Sequence, residues 1–126
     1  VIVHDPQVIT DEWLDIACEA VRSPGAIDSL LEVVRQGLDF RGQRREVVEP
    51  LQRRLPEIEA STLVVWGAQD RIVPPSHAYV AQRLIQNSQL RILDRCGHMP
   101  QVEKPEEFNG LVLGVLRGRS RKGRKR

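Results

Sequence analysis

Two short apolar runs, each ending in a glycine-containing turn, constrain this chain more than any other feature. The first, Thr62-Leu-Val-Val-Trp66, stops at Gly67 and is followed by Asp70 and Pro74-Pro75; the second, residues 90–93, is followed by Gly97-His98. A continuous β-branched and aromatic run without alternation predicts a strand covered on both faces in a parallel sheet. The two prolines fix φ and stiffen the loop that carries Asp70. Ser76 is placed to cap a helix whose Val80, Ala81, Leu84 and Ile85 share one face, and Asn87-Ser88 closes it. Strand, helix and strand over this length predict a right-handed parallel crossover, with both loops leaving the carboxyl edge of the sheet, where open α/β folds bind ligands. Neighbouring strands about 4.8 Å apart would let Asp70 and His98 meet. An aspartate that accepts the imidazole Nδ1–H fixes the tautomer and leaves Nε2 to take a proton.

Each candidate has a plainer reading. A loop aspartate often serves only as a turn residue bonded to its own backbone, but the flanking strand, the prolines and the later Gly-His favour an acid–imidazole pair for Asp70. Asp94, at the end of the second run, is the reserve partner for the imidazole. His4 has no partner at ligand spacing, and His77 is expected on the surface in the first turn of the helix after Asp70. Cys18 and Cys96 lack metal-ligand spacing. Cys96 reads as a small turn residue, because it precedes His98 on the same loop and is poorly placed as a nucleophile.

The flanking regions are helical in pattern. Thr10 is a candidate N-cap with Asp11 and Glu12 in the first turn, where the helix dipole favours negative charge, and Trp13, Ile16, Ala17, Ala20 and Val21 form a stripe that ends at Ser23-Pro24-Gly25. Ile27, Leu30, Leu31 and Val34 predict a second helix over 26–36, and Leu51, Leu55 and Ile58 a third, broken at Pro56. Trp13 and Phe40 read as packing residues, with the lining of an acyl pocket as the functional alternative. Pro105 opens a last helix, with Phe108, Leu111, Val112, Val115 and Leu116 as its buried stripe.

The net charge of +2 conceals an uneven distribution: seven of the nineteen basic residues lie in the last ten positions, and residues 1–116 carry a balance of −5. Residues 117–126 have no apolar side chain to bury and are expected to be a disordered basic tail. Without aromatic residues to stack on bases, a solvated end is favoured over a nucleic-acid arm. No apolar run approaches the ~20 residues that span a bilayer and no signal-peptide pattern is present, so a cytoplasmic protein is the default expectation.

The stretch Trp66-Gly67-Ala68-Gln69-Asp70 with Val73-Pro74, followed by Gly97-His98 and Glu103-Lys-Pro105-Glu-Glu-Phe108, resembles the carboxyl-terminal end of an α/β-hydrolase. The resemblance covers about residues 51–116. In that fold nucleophile, acid and histidine follow in chain order, so it implies Asp70 as the acid and His98 as the histidine of a Ser-Asp-His triad. No Gly-x-Ser-x-Gly elbow is present around Ser23, Ser29, Ser61, Ser76, Ser88, Ser120 or either cysteine, and no segment offers the oxyanion hole. The chain is therefore expected to be the last part of a longer hydrolase, with its nucleophile outside these residues. By position, residues 1–60 match a helical cap with its connecting helix, and residues 61–116 the end of the hydrolase core.

The segment from His98 to Glu103 is similar to the histidine loop of hydrolases acting on ring-cleavage products of aromatic compounds, with Met99 where those carry tryptophan. Epoxide hydrolases and dehalogenases share the acid–histidine ending. The resemblance implies a parent that hydrolyses an ester or a carbon–carbon bond next to a carbonyl, on a small apolar substrate, with neither metal nor organic cofactor. Its expected partners are the missing amino-terminal half of the fold and, through the uncovered sheet edge, further copies of itself. The alternative is a non-catalytic binding or scaffold protein whose basic end holds nucleic acid.

Overall fold

The computed structural model describes residues 2–39 and 42–122, with side chains through Gly118. These residues divide into two compact units, one built from residues 2–8 with 56–122 and the other from residues 9–39 with 42–55. Residues 2–8 thus fall in the same compact unit as the two apolar runs.

In the unit of Ile9–Leu55, α1 spans Asp11–Arg22, and Thr10 caps it by accepting the Trp13 N–H at 3.2 Å. Gly25, at φ +77°, makes the left-handed turn into α2, Ala26–Gly37. A two-residue antiparallel pair unforeseen in the sequence, β1 (Leu38–Asp39) with β2 (Gly42–Gln43), leads into α3, Arg45–Arg54. Helix α3 tolerates Pro50 within it and turns into a 3-10 turn over Leu55–Glu57, which contains Pro56. No described residue of this unit is fully buried, and Ile16, Leu30 and Val34 are exposed along their stripes. Trp13 is half-buried in α1, and Phe40 lies outside the described residues.

The second unit is built on β3, Thr62–Gly67, and β4, Ser88–Leu93, which pair in parallel from Thr62 opposite Ser88 to Gly67 opposite Leu93. Between them α4, Ser76–Leu84, packs on both strands and buries Ala78 completely. Pro75 rather than Ser76 is the N-cap, and no side chain caps this helix. The fixed φ of proline already supplies the entry, so the serine sits one position inside. Strand β4 begins two residues before the apolar run, because the Ser88 hydroxyl donates to the Gln82 and Ile85 carbonyls and ties the strand's start to the end of α4.

After β4, the single turn α5, Pro100–Glu103, leads into α6, Pro105–Lys122. The basic end expected to be unstructured from residue 117 continues this helix as far as Lys122, and 123–126 lie outside the described residues. The stripe expected to be buried is half-buried at Phe108, Leu111, Val112 and Val115 and exposed at Leu116; arginine and lysine are good helix formers, and extending an existing helix needs no new nucleus. The buried apolar residues among those described, Val3, Ala78, Ile85, Leu93 and Cys96, all lie in this unit. Leu93 and Cys96 lie at and just past the carboxyl end of β4, whereas Ile85 lies between the end of α4 and the start of β4. Among the described residues no helix is long and apolar enough to cross a membrane.

Candidate active site

Parallel register puts the ends of β3 and β4 side by side, so the loop of Asp70 and the loop of His98 leave the same edge of the sheet. Gly67, the last residue of β3, is buried beneath the second loop, and a Cβ there would collide with the backbone carbonyls of Gly97 and Cys96. Only glycine permits this approach. The first loop is held from within: the Trp66 indole Nε1–H donates to the Val73 carbonyl at 3.0 Å, bracing the turn that carries the acid.

Asp70 uses its two oxygens for two purposes. Oδ1 accepts the backbone N–H groups of Ile72 and Val73, both at 2.9 Å, which makes it the turn residue of its own loop. Oδ2 lies 2.9 Å from Nδ1 of His98. The Asp70 side chain is 3 % exposed and the imidazole 39 % exposed, so the contact is sheltered at the acid and open at the far side of the ring. Nε2 has no hydrogen-bond partner among the described residues. Burial pushes the Asp70 carboxyl up, but the bond to His98, the Val73 and Ile72 N–H groups and the charge of His98 outweigh it and hold the group below its usual range. The acid therefore stays ionised beside the ring, as an orienting partner must.

The other sequence candidates separate from this pair. The reserve acid Asp94 is exposed and accepts from Gln69 Nε2 at 3.1 Å rather than from the imidazole. The Gln69 bond, followed by the Arg95 N–H, lowers its carboxyl. His77 is exposed in the first turn of α4, and the His4 side chain is exposed on the amino-terminal segment. Cys96 is fully buried, and desolvation together with the Glu103 charge pushes its thiol up to about 11, so no thiolate nucleophile forms there near neutral pH. Among the described residues no three His, Cys, Asp or Glu side chains could share a metal ion.

Two polar side chains that hold the histidine loop were not legible as site residues. Gln69 links the loops directly: its Oε1 accepts the Cys96 N–H at 3.0 Å, while its own N–H donates to the Cys96 carbonyl at 2.9 Å. Glu103, at the end of α5, is buried and turns back onto the loop. Both lie within the stretches that carry the family resemblance, yet nothing in their spacing says that the side chains fold back. The loop also contains Arg95 at φ +49°, a left-handed conformation that a non-glycine residue adopts at a cost of about 1 kcal/mol.

Comparison with known proteins bears on the fold. The family model described as alpha/beta hydrolase fold matches residues 27–105. A 2-hydroxy-6-oxo-6-phenylhexa-2,4-dienoate hydrolase of Comamonas testosteroni is 36% identical over 121 residues, which are 94% of this chain and 40% of that protein. A 2-hydroxy-6-oxononadienedioate/2-hydroxy-6-oxononatrienedioate hydrolase of Pseudomonas putida is 35% identical over 121 residues, 92% of this chain and 38% of its own length. The crystal structure of a meta-cleavage product hydrolase from Pseudomonas fluorescens superposes with a TM-score of 0.72 at 27% identity, over 93% of this chain and 42% of that one. The chain thus spans about two fifths of the length of these relatives. A parallel strand pair that delivers an acid and a histidine from one edge, with a family match over residues 27–105, leads to one assignment: this chain belongs to the α/β-hydrolase fold family.

Proposed function

We propose that Asp70 and His98 are the acid and the general base of a hydrolase triad, and that its nucleophile comes from outside these 126 residues. The observation that carries the reading is the 2.9 Å bond between the buried Asp70 carboxylate and Nδ1 of an imidazole whose opposite edge is open. In this arrangement Nδ1–H stays on the acid, so Nε2 accepts the nucleophile's proton and returns it to the leaving group. Asp70 stabilises the imidazolium formed in between, and the forces that lower its own carboxyl are what keep it charged for that role.

The support for a substrate class is the names of the relatives, a 2-hydroxy-6-oxo-6-phenylhexa-2,4-dienoate hydrolase and a 2-hydroxy-6-oxononadienedioate/2-hydroxy-6-oxononatrienedioate hydrolase. We carry that class to this chain as a small substrate in which an ester or carbon–carbon bond lies next to a carbonyl. The test replaces the matched 121-residue stretch of the Comamonas testosteroni hydrolase with the corresponding residues of this chain. The hybrid is expected to consume 2-hydroxy-6-oxo-6-phenylhexa-2,4-dienoate, and His98→Ala within it to lower kcat by about 10⁴-fold. A folded hybrid with no activity, or one that keeps its rate after His98→Ala, contradicts the reading. The unfused chain is expected to be inactive.

A further inference from the structure

Glu103 takes no part in the acid–base pair, yet it and Asp70 are the buried acidic side chains among the described residues. Its carboxylate accepts the Gly97 N–H on both oxygens, at 2.9 and 3.0 Å. Oε1 also accepts the Met99 N–H at 3.2 Å, and Oε2 the His4 N–H at 2.6 Å. Gly97 and Met99 are the immediate neighbours of His98, whose own N–H donates to the Ile2 carbonyl at 2.8 Å. Three successive backbone donors of the histidine loop are thereby fixed, two by one carboxylate and one by the amino-terminal segment, which that carboxylate also holds.

A buried carboxylate is costly unless several donors converge on it. Here no lysine or arginine of the described residues forms an ion pair with Glu103, and backbone N–H groups balance its charge. The chemistry asks for a carboxylate in particular. Two oxygens offer about four acceptor sites, whereas a glutamine of the same shape offers one oxygen and would turn an NH₂ toward a backbone donor. The space is equally particular: a Cβ on Gly97 would lie 2.8 Å from the His4 nitrogen and from the Ile2 oxygen, and 3.0 Å from Glu103 Oε1.

We propose that Glu103 is the positioning residue of His98: its carboxylate fills a cradle of backbone N–H groups on both sides of the histidine and so sets the direction in which the imidazole leaves the loop toward Asp70. The inference rests on the reading of Asp70 and His98 as an acid–base pair. The direction of the ring is set by the backbone at His98, and a shift there of about 1 Å is enough to cost a catalytic geometry about 100-fold in rate.

The test is made by NMR on the full chain, comparing wild type, Glu103→Gln and Glu103→Asp, with the His98 ring as the probe. Wild type is expected to show a slowly exchanging Nδ1–H resonance and ring nitrogen shifts of a single Nδ1–H tautomer. It is also expected to show couplings across the hydrogen bonds from the Gly97 and Met99 amides to the Glu103 carboxyl carbon. Glu103→Gln is expected to lose the Nδ1–H resonance and mix the tautomers while the amide pattern of β3 and β4 persists; Glu103→Asp, which keeps the charge but is shorter, should fall between. A folded variant of either kind with the wild-type ring signature overturns the proposal, as does absence of the couplings in wild type. Unfolding of both variants overturns it too, since Glu103 would then support the fold as a whole. Absence of the Nδ1–H signature in wild type would remove the acid–base reading itself, whereas an unchanged Glu103→Gln spectrum removes the positioning role alone.

Discussion

Asp70 shows how one side chain can satisfy two readings of a sequence. A turn aspartate and an imidazole partner look like alternatives on paper, but a carboxylate has two oxygens, and here each takes one role. The consequence is a pH dependence with a definite sign. Because the folded-state carboxyl is held below its usual value, ionised Asp70 contributes stability that is fully present above the ordinary carboxylate range, about 3.9, and is lost as pH falls through the lowered value. Urea midpoints measured from pH 7 down to the acid limb should therefore fall more steeply for wild type than for Asp70→Asn. Parallel acid limbs would mean that the pairing with His98 and the loop amides does not bias the carboxyl. The pair itself was legible because strand ends, prolines and Gly-His are local signals. Glu103 was not, since a carboxylate that reaches back across its own turn to Gly97 and Met99 leaves no periodic trace.

Among the elements, β3 and β4 are the part of the fold that the residues announce most clearly. Their parallel pairing follows from the length of the connection, and their register places the two loops together. The details that escaped depend on neighbours. Strand β3 was expected to be covered on both faces, and Thr62–Trp66 are instead half-buried, while Gln89 and Arg91 on β4 are exposed in alternation with half-buried residues. Coverage is a property of what packs against a strand, which its own composition does not encode. The β1–β2 pair escaped for a related reason, since two residues are too few to show a period of two. The junction of strand and loop makes a sharper demand. Gly67→Ala would drive a methyl group into the backbone carbonyls of Cys96 and Gly97, which cannot swing aside as a side chain tip would. The expected loss is about 3 kcal/mol of stability, read from urea unfolding; a change below about 0.5 kcal/mol would show that the histidine loop does not lie against the strand end.

On the scale of the molecule, the outer edge of β3 is expected to govern behaviour in solution. Among the described residues β3 pairs with β4 alone, and Leu63, Val65, Phe108, Val112, Val115 and Leu116 line a groove of about 320 Å³ between that strand and α6. Unpaired backbone groups beside an apolar groove favour pairing with another chain. Sedimentation velocity on the isolated chain is expected to show concentration-dependent association, and a single monomeric species at every concentration would argue against an exposed edge. If the proposed roles hold, Asp70 and His98 are the acid and base of a triad whose nucleophile lies outside these residues, and the isolated chain is expected to show no hydrolase activity. The most direct measurement of the central claim is a double-mutant cycle in the Comamonas testosteroni hybrid, with kcat determined for Asp70→Asn, His98→Ala and both together. If Asp70 works through His98, the double variant is no slower than His98→Ala alone. Losses that multiply would show two independent contributions and would contradict the acid–base pair.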